Sequence, residues 1–172
     1  MSRAAVNPIV LSTPSPQGLS LRKMLATDTR TWKAGELCYL TSGTVSPLSS
    51  ATGGTAVYGI FAETQSTTTS STSCWVRVLE EGTMLLAYLI DNGSAEDTAG
   101  VTIGQKYAAY ATSNVCYVDK NVTSSGQFRI VKKIDNSDTT DPMPERASYD
   151  GQTTTATPGM VIVEFYEPAG IS

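Results

Sequence analysis

The chain has 172 residues, 40% hydrophobic and 16% charged, a balance that excludes a disordered tail and fits one folded domain with a core of its own. A net charge of −4 argues against affinity built on phosphate neutralisation, and the absence of histidine removes imidazole-based triads, proton shuttles and metal sites. Ser and Thr make up about a quarter of the residues, which favours strands and turns over helix interiors.

Residues 1–30 hold Pro8, Pro14 and Pro16 within NPIVLSTPSPQG, a density that denies helix and predicts an extended N-terminal arm. Arg3, Arg22, Lys23, Arg30 and Lys33 stand before Ala34 against a single acid, Asp28, whereas acids dominate afterwards. Such a basic leader on an acidic body suits an arm lying on another acidic surface. The start MSRAAVNPIVL predicts no signal peptide and no run predicts a membrane span, so the sequons at Asn92 and Asn121 read as chance matches.

Trp32 opens the folded body, predicted over residues 31–172. In GELCYL, alternation puts Leu37 and Tyr39 on one face and Cys38 and Leu40 on the other, both covered. A TSG turn, a strand at AVYGIFAE and the hydroxyl-rich TQSTTTSSTS follow. In CWVRVLEEG, Trp75, Arg77 and Leu79 oppose Cys74, Val76 and Val78. TMLLAYLI is apolar throughout and periodicity leaves strand and short helix both open. After the loop DNGSAEDTAG come IGQKYAAYATSNVCYV, QFRIVKKI, a long loop at 136–159 and MVIVEFYEPAG.

The second series repeats the first: glycine, hairpin, strand, hydroxyl-rich loop, strand, acid, glycine. The expected fold is all-β: a small closed or partly closed β-barrel from two pseudo-repeated halves, about 32–90 and about 101–170, since closure removes raw strand edges. Gly35 and Gly104 are expected where the chain bends into each half, at positions with no room for a Cβ. Val57, Ile60, Phe61, Val76, Val78, Leu86, Phe128, Ile130, Val161, Val163 and Phe165 form the expected core.

Candidate chemistry is sparse. Cys38, Cys74 and Cys116 lie in apolar runs without a C-x-x-C and read as buried free thiols. Glu80 and Glu81 point to opposite faces of a strand and cannot share a substrate. The acids from Asp135 to Asp141 lack the bidentate Glu and central glycine of a calcium loop. In QFRIVKKI the cations do not share a face with Phe128, which disfavours single-stranded nucleic acid. Trp32, Trp75, Tyr107, Tyr110 and Tyr117 could line a sugar platform, although no convergent polar set accompanies them. No catalytic residue, metal ligand or cofactor site is expected, and the chain reads as a non-enzyme.

The phrase W-x-A-G-E-x-x-x-L-T-S-G-x-V with the following Y-G-I-F-A, and the later V-x-x-G-x-x-Y and Y-V-D-x-x-x-T-S-S-G-x-F-x-I-V, resemble the head decoration (cement) proteins of tailed bacteriophages. The resemblance covers roughly Trp32 to Glu167, leaving out the arm and the long loop. It implies a structural virion protein, made in the host bacterial cytoplasm, that binds the outer capsid surface and stabilises the mature head. It implies the major capsid protein as partner and a homo-oligomer, a trimer favoured, with no role for nucleic acid or membrane. On that reading Val6, Ile9, Val10 and Leu11 supply apolar anchors. Arg3, Arg22, Lys23 and Arg30 attract an acidic surface, and Trp32 joins them as a contact candidate. The arm could then add a strand to a neighbour's edge and be deleted without loss of β structure. The alternatives are a carbohydrate-binding adhesion module or a tail or neck protein of the virion.

Overall fold

The structure is a computed structural model, and it describes residues 7–26, 30–48, 57–66, 72–113, 115–123, 126–134 and 159–166. The protein is all-β: every regular element among the described residues is a strand. Five strands make the first sheet, in the order β2 (Leu21–Leu25), β6 (Ser73–Val78), β5 (Val57–Phe61), β3 (Leu37–Thr41) and β4 (Thr44–Pro47). A parallel bridge between Ala26 and Val45 brings the end of β2 back towards β4.

The second sheet runs β7 (Met84–Asp91), β10 (Val115–Asp119), β9 (Lys106–Thr112), β11 (Phe128–Ile134) and β12 (Met160–Phe165). β12 pairs antiparallel with β7, so these strands close into a ring. Two short strands complete the sheet: β1 (Ile9–Ser12) and β8 (Ser94–Ala95) both attach to β7.

Sequence and structure diverge in the arrangement of the strands at three places. The expected single barrel shared by both halves is replaced by two sheets without a common strand pairing among the described residues. β7, expected to complete the first half, lies in the second sheet between β12 and β10. The expected arm is extended but is not free. Ile9 pairs with Leu86, Leu21 with Arg77 and Lys23 with Trp75, so the leading segment supplies a strand to each sheet. Asn7 fastens it further by accepting the Cys116 N–H at 2.9 Å. The physical reason is that IVLS and LRKML leave backbone groups that an adjacent strand of the same chain satisfies at less entropic cost than a separate partner does.

Two apolar clusters hold the body. The first joins the sheets: Leu37, Val57, Ile60 and Leu79 from one meet Leu85, Leu89, Phe128, Val161, Val163 and Phe165 from the other. The second lies within the first sheet and packs Trp32, Cys38, Val45, Tyr58, Phe61, Cys74 and Val76. β3 serves both, with Leu37 and Tyr39 against the first cluster and Cys38 and Leu40 against the second, as its alternation predicts. β7 departs from expectation because Leu85 is fully buried while Leu86 is half-buried.

Glycine is required before each hairpin. Gly35 (φ 91°) and Gly104 (φ 86°) adopt the left-handed region that a side chain disfavours. Space is not the reason at Gly104, where a Cβ would meet nothing within 4 Å; at Gly35 it would lie 3.2 Å from the Asn7 Cβ. The Gly35 N–H donates to the Phe61 carbonyl at 2.9 Å and the Gly104 N–H to the Ile130 carbonyl at 2.8 Å, which fixes where each hairpin begins.

Candidate binding surface

Burial raises the pKa of the three interior thiols and of Glu36. Burial pushes the Cys74 thiol up to about 11 and Cys116 to about 12, and raises Cys38 further, so all three are protonated near neutrality. The Cys116 sulfur also accepts the Leu37 N–H at 3.2 Å. Glu36 is 3% exposed. Burial raises its carboxyl above the usual range, offset in part by the Lys33 N–H it accepts and by the Lys33 charge. Glu80 sits in the turn between β6 and β7, where its backbone carbonyl accepts the Thr83 hydroxyl at 2.6 Å. Among the described residues no three Cys, Asp or Glu side chains are grouped to hold a metal ion.

The outer face of the β2–β6 ladder is different in kind. Strand alternation puts Leu21, Lys23 and Leu25 on one side of β2, level with Arg77, Trp75 and Ser73 of β6. Cys74 and Val76 point the other way and are buried. Leu21 is 53% exposed, Leu25 49% and Trp75 41%, so three large apolar side chains lie in the open around Lys23. Arg77 carries this surface into a groove of about 860 Å³ at the junction of the sheets. Lys33 and Ile60 share its first-sheet wall, and Pro8, Ile9 and Val10 line the side of β1. The result is an apolar surface edged by cations on a rigid β support, suited to docking a macromolecular surface.

The expected contact residues are distributed unevenly over it. Ile9 and Val10 reach the groove, with Ile9 43% exposed; Leu11, on the same strand, is 49% exposed. Arg22 and Lys23 are exposed on β2. Arg30 is half-buried and engaged in an interaction of its own. Trp32 is 1% exposed and stacked on Phe61, so it belongs to the core and is not at the surface. Arg3, Val6, the acids from Asp135 to Asp141 and most of the long loop lie outside the described residues.

The aromatic set considered for sugar does not converge. Trp32 and Tyr107 are buried, Trp75 stands on the first sheet, and Tyr110 pairs with Tyr117 on the second. Leu21, Leu25, Trp75 and Arg77 were legible only in part. The alternation of CWVRV separates Trp75 and Arg77 from the core, but their alignment with β2 depends on long-range pairing.

No family model matches the chain, and no curated protein is similar to it in sequence.

Proposed function

We propose that this chain is a structural virion protein that docks on the outer surface of a phage capsid and stabilises the mature head, without catalysis. The observation that carries the reading is the exposed surface of Leu21, Leu25 and Trp75, edged by Lys23 and Arg77, on a β body whose thiols are buried. The resemblance of the Trp32–Val45 and Tyr58–Ala62 phrases to head decoration proteins supports it. In this reading the contacts come from β1 and β2 as strands fastened to the body rather than from a loose arm. Pre-ordered strands lose less entropy on docking. Exposed ion pairs contribute about 0–1 kcal/mol each, so charge steers while apolar burial and repetition on a symmetric oligomer, a trimer favoured, hold the contact.

The body further reads as two copies of one five-strand unit. Matching backbone bonds support this. Gly35 N–H to Phe61 corresponds to Gly104 N–H to Ile130, and Ala26 N–H to Thr72 corresponds to Leu89 N–H to Gly159. Val78 N–H to Ser20 likewise corresponds to Phe165 N–H to Thr83. The parallel bridge Ala26–Val45 has its counterpart in Leu89–Val118. On this matching the first unit begins at β2 and the second at β7, displaced from the boundaries expected at about 32–90 and 101–170.

The deciding experiment incubates purified protein with expanded capsids and with tails. Co-sedimentation with capsids, a raised capsid melting temperature and added density on capsomers are expected. Density along the tail, or no binding to heads, overturns the reading.

A further inference from the structure

The outward edge of β2 differs from its counterpart on β7 in one respect. The β2–β6 ladder is framed by the Val78 N–H donating to Ser20 and the Ala26 N–H donating to Thr72, both at 2.9 Å. Antiparallel bonding alternates along a strand, so the even-numbered residues of β2 bond β6, and the N–H and C=O of Leu21 and Lys23 face away. β7 has the same frame: the Phe165 N–H donates to Thr83 at 2.8 Å and the Leu89 N–H to Gly159 at 2.9 Å. There, Met84 and Leu86 present the outward groups, and β1 lies on them, Ile9 opposite Leu86 and Ser12 opposite Met84. Leu21 and Lys23 stand where Met84 and Leu86 stand. No described strand covers them; on that edge β2 meets only the Ala26–Val45 bridge. Exposure follows suit, since Met84 and Leu86 are half-buried and Leu21 and Lys23 exposed.

We propose that the β2 edge at Leu21–Lys23 is a docking slot for an extended, acidic and apolar strand of a partner protein, taken up antiparallel to β2 as β1 is on β7. The inference rests on the two-unit reading above. Bare strand edges attract any strand, and charges on the edge restrict which one is accepted. Arg22 and Lys23 occupy this edge and Arg77 lies level with Leu21, none of them in an ion pair among the described residues. The neighbouring acids are held by neutral donors and pair with none of these cations: Glu80 accepts the Ser20 hydroxyl at 3.1 Å and Glu63 the Trp75 N–H at 3.2 Å. An incoming strand therefore meets three cations without an ion-pair partner among the described residues, which carboxylates offset and lysines aggravate. Its apolar side chains lie against Leu21, Leu25 and Trp75, and the carboxylates that alternate with them fall on the other face, beside Arg22, while Lys23 and Arg77 border the apolar contact. β1 of a second copy is a poorer occupant, because IVLS carries no acid.

The test uses the full chain with a synthetic Val-Glu-Val-Glu-Val-Glu peptide and its Val-Lys analogue. The acidic peptide should slow hydrogen exchange at the Leu21 and Lys23 amides at least tenfold and shift Trp75 fluorescence, and the lysine analogue should do neither. Lys23→Pro deletes an N–H that β6 does not use, so the ladder survives while peptide affinity falls at least tenfold. A second variant, Arg22→Glu with Lys23→Glu, should reverse the preference towards the lysine peptide. The proposal is overturned by absence of amide protection, by unchanged binding in Lys23→Pro, or by concentration-dependent protection of these amides without peptide, which would assign the edge to a second copy. Capsid binding that survives Lys23→Pro removes the slot and leaves the virion role standing. Peptide binding by a protein that ignores capsids does the reverse.

Discussion

Trp32 lies flat on Phe61, with ring centroids 4.5 Å apart and planes 12° from parallel. The stack caps the interior of the first sheet, and the backbones of Trp32 and Gln65 bond each other at 3.1 and 2.9 Å beside it. Trp32→Ala should cost about 3–5 kcal/mol in denaturant unfolding, the range for truncating a buried aromatic. Trp32→Phe should cost less, because it keeps a ring on Phe61 and removes the indole N–H, which is buried without a hydrogen-bond partner. Acrylamide should quench Trp75 and leave Trp32 emitting; strong quenching of both would contradict the buried stack.

Removal of residues 1–30 is a sharper test of the leading segment. A free arm predicts unchanged circular dichroism after the deletion. The structure predicts the opposite, since the cut takes away β1 and β2, the Asn7 tie to Cys116 and the Ala26 contact with Val45. The loss should be comparable to a whole domain's stability, about 5–15 kcal/mol, seen as collapse of the cooperative thermal transition. A truncated chain that melts at the full-length temperature would restore the arm.

Glu36 makes stability depend on pH with a definite sign. Burial raises its carboxyl above the ordinary 4.5, so the folded state prefers the protonated form. Its contribution is therefore fully present below pH 4.5 and is lost as pH rises through the raised folded value. Glu36→Gln keeps an acceptor for the Lys33 N–H and removes the charge. The variant should melt higher than the parent at pH 7 and converge with it near pH 4. Thermal melts of the pair across that window measure the difference, and a variant less stable at pH 7 would reverse the assigned cause.

The thiols should be inert until the chain unfolds. With Cys74 pushed up to about 11 and Cys116 to about 12, the thiolate fraction at pH 8 is negligible even before access is considered. A disulfide-exchange reagent should label none of the three in the native protein and all three in guanidinium chloride. Rapid native labelling of any one would place it at the surface.

Local patterns were enough for the all-β class, for the two covered faces of β3, and for the division of CWVRV into buried Cys74 and Val76 and outward Trp75 and Arg77. Each depends on alternation within one strand, which the chain carries residue by residue. Tertiary structure alone decided the rest. From Met84 to Ala87 the run MLLA is apolar at every position, so nothing local marks Leu85 rather than Leu86 as inward, nor β7 as a member of the second sheet. The segments IVLS and LRKML look like loose polar-flanked stretches until β7 and β6 offer them backbone partners. Strand partnership is set by hydrogen bonds between residues such as Ser20 and Val78, far apart along the chain, and by which apolar faces must meet across two sheets. Those are properties of the folded body, and no single stretch of sequence contains them.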